Sequence, residues 1–299
     1  MRALITGGQG FVGQHLERHL RDQGDDVVIL DMETDVAKAE VVSQAILQAA
    51  PDAIYHLAAL SHVGDSWNDP SQVLSVNVIG TANVLAAARQ CDRDVTTLVV
   101  SSAEVYGIVQ PDDLPLTESS SVAPASPYAA SKAAAEQVAL QAVRGFGQKV
   151  IVARPFNHIG PGQAPVFAVP ALSKRIVDAA RTGDQDLSVG TLTTRRDFTD
   201  VRDVVRAYRL LIEHGVSGEI YNICSGTDES IAEIVAMLLE IVGLNLNLVS
   251  DQSLIRPVDV PVLRGECSKV FATTGWKSEI SLHHTLVDVV ESFQDTSKN

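Results

Sequence analysis

The sequence predicts an α/β chain, a Rossmann-like doubly wound parallel sheet with a smaller α/β lobe attached. Three observations predict it. Short, nearly continuous apolar runs alternate with longer helical patterns through the first half; a glycine-rich turn follows the first of those runs; and the rhythm changes after Pro155. Strands that are apolar throughout suit a sheet covered on both faces. Strand–helix alternation with right-handed crossovers then gives a doubly wound parallel sheet.

The strands read at 2–6 (RALIT), 26–30 (DVVIL), 52–57 (DAIYHL), 95–101 (VTTLVVS) and 149–154 (KVIVAR), with helices at 11–22, 36–49, 71–90 and 127–145. Segment 155–165 (PFNHIGPGQAP) is crowded with turn formers and is expected to hold no regular element. A helix at 166–182 and a strand at 186–190 follow. Asp200 reads as the N-cap of a helix over 201–213, and Asp203 stands in its first turn, where the helix dipole favours an anion. Residues 219–223 form one more strand, Ser230 and Glu233 a capping box for a helix at 231–242, and a last helix covers 281–294. Residues 1–156 with 196–223 group as a dinucleotide-binding domain, and 157–195 with 224–299 as the smaller lobe.

Composition narrows the function. With 299 residues, 45% of them hydrophobic, the chain can bury a full core and is not disordered. A net charge of −14 argues against nucleic acid, because a polyanion needs a clustered basic face. A small phosphorylated ligand needs only a few placed arginines. Cys91, Cys224 and Cys267 fit neither a disulfide framework nor a zinc spacing, which suits a reducing cytoplasm and predicts no metal. No membrane span is expected, and a core strand directly after Met1 leaves no room for a signal peptide.

The first strand runs into Thr6-Gly7-Gly8-Gln9-Gly10-Phe11-Val12-Gly13 and then into a helix. Gly7 and Gly10 let the backbone turn tightly against a diphosphate, and Gly13 lets helix and strand approach. The position between strand and helix is what makes the glycine spacing informative. Asp31 ends the second strand eighteen residues after Gly13. A carboxylate there can bond both adenosine ribose hydroxyls and repels a 2′-phosphate, so NAD(H) is favoured while NADP(H) stays open. Asp31 could alternatively cap the next helix.

Tyr128 and Lys132 form a YxxxK pair just after Pro127, which suits a first helical position, and residues four apart share a helix face. Ser101 and Ser102 end the fourth strand, at the carboxyl edge where doubly wound folds bind ligands. Ser102 can hold a substrate oxygen and Tyr128 can pass it a proton. The Lys132 cation is expected to lower the phenol's pKa. Glu104, in SSAEVYG, could act as a base or simply bond a hydroxyl. Val105 and Tyr106 read as packing beneath the site, His158 as either ligand contact or backbone-bonded, and His283-His284 as surface.

TGGQGFVG, AALSHV, SSAEVYG and Tyr128-x-x-x-Lys132 together resemble the extended short-chain dehydrogenase/reductase family, which acts mainly on nucleotide-activated sugars. More specifically, ARPFNHIGPGQ (153–163), RRDFTDVRDVV (195–205) and RPVDVPVLRGE (256–266) resemble its GDP-6-deoxy-D-mannose reductases. The resemblance implies reduction of GDP-4-keto-6-deoxy-D-mannose to GDP-D-rhamnose with Ser102, Tyr128 and Lys132 as the catalytic set. It places Gly7, Gly10, Phe11, Val12, Asp31, Asp35, Val36, Leu57, Ala58 and Ala59 at cofactor-contact positions. Asn157 would touch the nucleotide-sugar, Arg196 and Arg256 its diphosphate, with Asp259 beside Arg256. Two guanidinium forks on one diphosphate make chemical sense, although an arginine alone is as readily a surface ion pair. The smaller lobe would then bind the GDP-sugar, and helices 71–90 and 127–145 would form a homodimer interface. The alternative is 4,6-dehydration of GDP-mannose or another dehydratase or epimerase reaction, which Glu104 keeps open; Ala103 stands where many sugar-nucleotide dehydratases carry Asp. The intact Ser102, Tyr128 and Lys132 set disfavours a non-catalytic dinucleotide-binding protein.

Overall fold

A computed structural model describes residues 1–30, 34–254 and 260–295. Six parallel strands form the central sheet, in the spatial order Ile220–Ile223, Lys149–Pro155, Thr96–Val100, Ala53–His56, Arg2–Thr6, Asp26–Leu30. The chain begins at Arg2–Thr6, steps outward to Asp26–Leu30, then crosses back to Ala53–His56 on the other side. The winding therefore reverses between Arg2–Thr6 and Ala53–His56, where Thr6 is paired with both Leu30 and His56. A crevice opens outside the carboxyl ends of strands at such a reversal.

Strand alternation explains the continuous apolar runs. Ala3 and Ile5 pack with Leu16 and Leu20 of the helix Phe11–Asp22 and with Val204 and Leu211 of the helix Val201–His214. Leu4, between them, faces the other way, into Val42 and Ile46 of Ala39–Ala49 and Val84 of Gly80–Ala88. Both faces are thus covered, so neither set of positions can be polar. A separate apolar core, including Leu172, Ile176, Ile234, Leu238 and Leu286, lies between the helices Ala168–Thr182, Ile231–Val242 and Leu282–Asp295.

The expected caps form. The Asp200 carboxylate accepts from the Arg202 N–H at 2.8 Å, and Ser230 and Glu233 bond reciprocally. Pro127 opens its helix behind Ser126, whose hydroxyl accepts from Ala129.

Four expectations need correction. Segment 155–165 does hold a regular element, the strand Asn157–Ile159, paired in parallel with Phe198–Asp200. Its partner lies some forty residues on, so local turn chemistry could not reveal it. The helix expected at 71–90 is a composite: Pro70–Leu74 behind the Asp69 cap, a π-helical turn at Ser75–Ile79, then Gly80–Ala88. Together Pro70–Ala88 makes 19 residues of mean hydropathy 1.3, long and apolar enough to cross a membrane by length and composition alone. Here Val73, Asn77, Thr81, Val84 and Leu85 are buried against the protein's own core. The helix expected from 36 starts at Ala39, because the Asp35 carboxylate turns the chain by accepting from Ala37 at 3.0 Å. Lastly, the strand Asn247–Ser250, paired with Asp186–Val189, and the helix Ser268–Thr274 were not foreseen.

Candidate active site

The turn after the first strand is built by backbone geometry. Gly7 has φ +72° and donates to the Leu30 carbonyl, while Gly10 donates to the Gly7 carbonyl at 3.1 Å. A Cβ on Gly7 would stand 2.9 Å from the Ala58 backbone, and one on Gly13 would stand 2.5 Å from the carbonyls of Gly7 and Gly8. Gly10 caps the helix Phe11–Asp22 with no side-chain hydrogen bond, so side chains do not satisfy the first-turn N–H groups. A glycine cradle facing a bare helix N-terminus at a winding reversal fits a dinucleotide diphosphate. Phe11 and Val12 are half-buried beside it, and Phe11 stacks over His158 at 6.4 Å.

The opposite wall is Leu57, Ala58 and Ala59, all partly exposed at the end of Ala53–His56. Leu57 donates to the Thr6 carbonyl and Ala58 to the Thr6 hydroxyl at 3.2 Å. That hydroxyl also bonds His56 Nδ1 at 2.8 Å, and His56 Nε2 reaches Thr81 at 3.1 Å. Burial, then the Lys132 charge, pushes His56 down to about 3, so it serves as a neutral linker. Val36 is buried and its carbonyl accepts from Asn83; Asp35 is half-exposed. Asp31 lies outside the described residues.

Beyond the strand Thr96–Val100, Ser102 caps the short turn Ala103–Tyr106, its hydroxyl accepting from the Glu104 N–H at 3.2 Å. The Tyr128 phenol stands near enough to Ser102 for that side chain to favour its ionised form. Tyr128 is pushed up to about 12, by burial first and by the Glu104 charge in the same direction, with the Ser102 side chain opposing. The expected lowering by Lys132 is therefore overturned. The Lys132 ammonium is directed at the Val100 carbonyl, 2.7 Å away, and burying a phenolate costs more than the nearby dipoles return. Lys132 is itself lowered to about 8 by burial, with Glu136 opposing. Glu104 is half-buried. Tyr128, Ser102 and Glu104 thus converge as expected, and Val105 and Tyr106 are buried below them.

The lobe residues are less gathered. Asn157 is exposed, and His158 bonds the Phe156 carbonyl through Nδ1 at 3.0 Å, the backbone-bonded reading. Arg196 is buried, its Nη1 donating to the carbonyls of Arg195 and Val260 at 2.9 and 2.6 Å. Arg256 and Asp259 lie outside the described residues. His283 and His284 are exposed. Among the described residues there is no cluster of side chains able to hold a metal ion.

The model of the NAD dependent epimerase/dehydratase family matches residues 3–224. The chain belongs to this family. It is an NAD(P)-dependent oxidoreductase with a Rossmann core. The chain is similar to a GDP-6-deoxy-D-mannose reductase of Pseudomonas aeruginosa, 36% identical over 98% of this chain and 97% of the relative. It is also similar to a GDP-6-deoxy-D-talose 4-dehydrogenase of Aggregatibacter actinomycetemcomitans, 33% identical over 92% of each. Among solved structures, RMD from Pseudomonas aeruginosa complexed with NADPH superposes with a TM-score of 0.91 at 34% identity, over 99% of this chain and 100% of that one.

Sequence reasoning missed a buried charged pair under the site. Arg154 grips Glu136 through Nε and Nη2 at 2.8 and 2.7 Å, and Glu136 accepts the Ser101 hydroxyl at 2.5 Å. A lone arginine ending the apolar strand KVIVAR, and a glutamate one turn past Lys132, were the available signals. It also missed Asn77, whose amide bonds Ser131 at 2.8 Å and the Leu60 backbone, tying the Tyr128 helix to the Leu57–Ala59 wall.

Proposed function

We propose that this protein reduces the C4 keto group of GDP-4-keto-6-deoxy-D-mannose to GDP-6-deoxy-D-mannose, GDP-D-rhamnose, with NAD(P)H. The observation that carries the reading is the buried Tyr128 phenol beside the half-buried Ser102, four residues before the buried Lys132 on one helix, in a chain alike over nearly its whole length to a GDP-6-deoxy-D-mannose reductase. A bound nicotinamide dinucleotide supplies the two electrons. Tyr128, protonated at neutral pH, donates the proton to the C4 oxygen as negative charge grows there, and Ser102 holds that oxygen. Lys132, one helical turn after Tyr128, supports it and bonds the nicotinamide ribose. Ser102, Glu104, Asn157, Arg196, Arg256 and Asp259 are assigned to the nucleotide-sugar, and Gly7, Gly10, Phe11, Val12, Gly13, Asp31, Asp35, Val36, Leu57, Ala58, Ala59, Tyr128 and Lys132 to the cofactor. Residues 1–156 with 196–223 then form the cofactor domain and the remainder the GDP-sugar lobe.

Asp31 favours NAD(H), whereas the Pseudomonas relative was solved with NADPH, so both enter the test. Absorbance at the nicotinamide band should fall with GDP-4-keto-6-deoxy-D-mannose and stay flat with GDP-mannose. The cofactor giving the higher kcat/KM settles the preference. Consumption of GDP-mannose without net cofactor oxidation would instead establish a dehydratase. That second reading is favoured by one observation, the Glu104 carboxylate close enough to raise the Tyr128 phenol.

We further propose a homodimer through helices 71–90 and 127–145. The solvent side of these helices presents Leu74, Ile79 and Ala86 beside Ala130 and Phe146, and the Arg89 guanidinium lies 4.2 Å over the Phe146 ring. Ile79→Glu should halve the mass seen by light scattering; an unchanged mass would place the interface elsewhere. The free thiols Cys91, Cys224 and Cys267 support a cytoplasmic setting.

A further inference from the structure

We propose that Glu136, clamped by Arg154, is a positioning residue that fixes the strand end on which the Lys132 ammonium rests and from which Ser102 follows, for proton transfer; this deepens the reading in which Ser102, Tyr128 and Lys132 carry the reaction. The side chains of Glu136 and Arg154 are 1% and 3% exposed, so neither charge can be relieved by water. An ion pair this deep is a costly way to gain stability, and neutral residues of like volume would do as well. Its placement suggests what it is for.

Glu136 stands one turn beyond Lys132 on the helix Pro127–Phe146. Its Oε1 accepts the Ser101 hydroxyl, holding the chain immediately before Ser102 as it leaves the sheet. The Lys132 ammonium bonds the Val100 carbonyl, one residue earlier. Helix and strand end are therefore stitched at two successive residues, and the next residue is Ser102, whose side chain lies near the Tyr128 phenol. Arg154 also donates to the Tyr106 hydroxyl at 3.0 Å, which donates in turn to Asn222 at 2.7 Å. The same clamp thereby fixes the far end of the Ala103–Tyr106 turn that carries Glu104.

The electrostatics agree in sign. The charged and titratable groups around Lys132 are Tyr128 and Glu136 on its own helix, neutral His56 on the strand Ala53–His56, and Arg154 on Lys149–Pro155, spent on Glu136. Burial discharges Lys132 and the Glu136 carboxylate opposes it. Without that carboxylate, the ammonium would lose its proton at a lower pH.

The test needs no substrate. In cofactor-free protein carrying 15N-lysine, the Lys132 Nζ resonance is assigned by its loss in Lys132→Met and then titrated. Wild type should titrate near pH 8 and Glu136→Gln about one pH unit lower. The basic limb of kcat/KM should move down with it, and Glu136→Asp should restore the limb. An unmoved titration in folded Glu136→Gln overturns the proposal, whatever the effect on kcat. If that variant does not fold, Glu136→Gln/Arg154→Met removes both buried charges together and should titrate lower than Arg154→Met alone; no difference between those two overturns it equally. Wild type that titrates as expected but leaves the keto-sugar untouched would refute the substrate reading and spare this one.

Discussion

Tyr128→Phe should lower turnover by about 10³-fold while leaving cofactor affinity within a factor of two or so of wild type. In the proposed reaction the phenol gives a proton to an oxygen held by Ser102, and general acid catalysis by a positioned side chain is worth about 10²–10⁴ in rate. Its high pKa, about 12, means that the donating form is fully present at neutral pH. An alkoxide developing on a sugar carbon is more basic still, so the transfer runs downhill. Phenylalanine keeps the ring volume and forfeits one hydrogen bond, worth about 1 kcal/mol, so the fold should survive with a small change in Tm. The measurements are kcat with the keto-sugar and a direct Kd for NADH and NADPH. Turnover within tenfold of wild type would remove Tyr128 from the proton path and leave Glu104 as the group to examine.

That site was half-written in the sequence. The glycine spacing, the YxxxK pair and the serines after the fourth strand each obey a local rule, a turn, a helix face, a strand end, and local rules are what a sequence exposes. The helices Phe11–Asp22 and Ile231–Val242 lie where periodicity and caps put them, for the same reason. What stayed hidden depends on partners far along the chain. Glu136 meets Arg154 across eighteen residues and two elements, and the strand Asn157–Ile159 exists because Phe198–Asp200 comes alongside. Both left compositional traces, a charge in an apolar strand and a charge on an alanine-rich helix, but a trace of burial does not name its partner. The sign of the Tyr128 shift differs because spacing shows that Lys132 is near, whereas only packing shows how deeply the phenol is buried.

Gly13→Ala should weaken cofactor binding by about 10- to 100-fold, one to two steps of about 1.4 kcal/mol, with a smaller loss of stability. Two effects oppose each other in the protein alone. Alanine improves helix propensity at this position by about 1 kcal/mol. Its Cβ, however, would stand 2.5 Å from two carbonyl oxygens and 2.6 Å from the Gly8 carbonyl carbon, all backbone atoms with no rotamer to change. Relief must come from moving the turn, and overpacking of this kind costs about 1–3 kcal/mol. The turn cannot move freely, since the Gly7 N–H is tied to the Leu30 carbonyl and the Gly7 carbonyl to the Gly10 N–H. Displacement therefore falls on the N–H groups assigned above to the diphosphate, and the loss should appear in binding more than in folding. Gly24→Ala separates the two: at φ +79° with open space around its Cβ it should cost stability alone, and leave the Kd for NADH and NADPH where it was. Wild-type affinity in Gly13→Ala would mean that the diphosphate does not rest on this turn, and the cofactor would have to be sought along the Leu57–Ala59 wall instead.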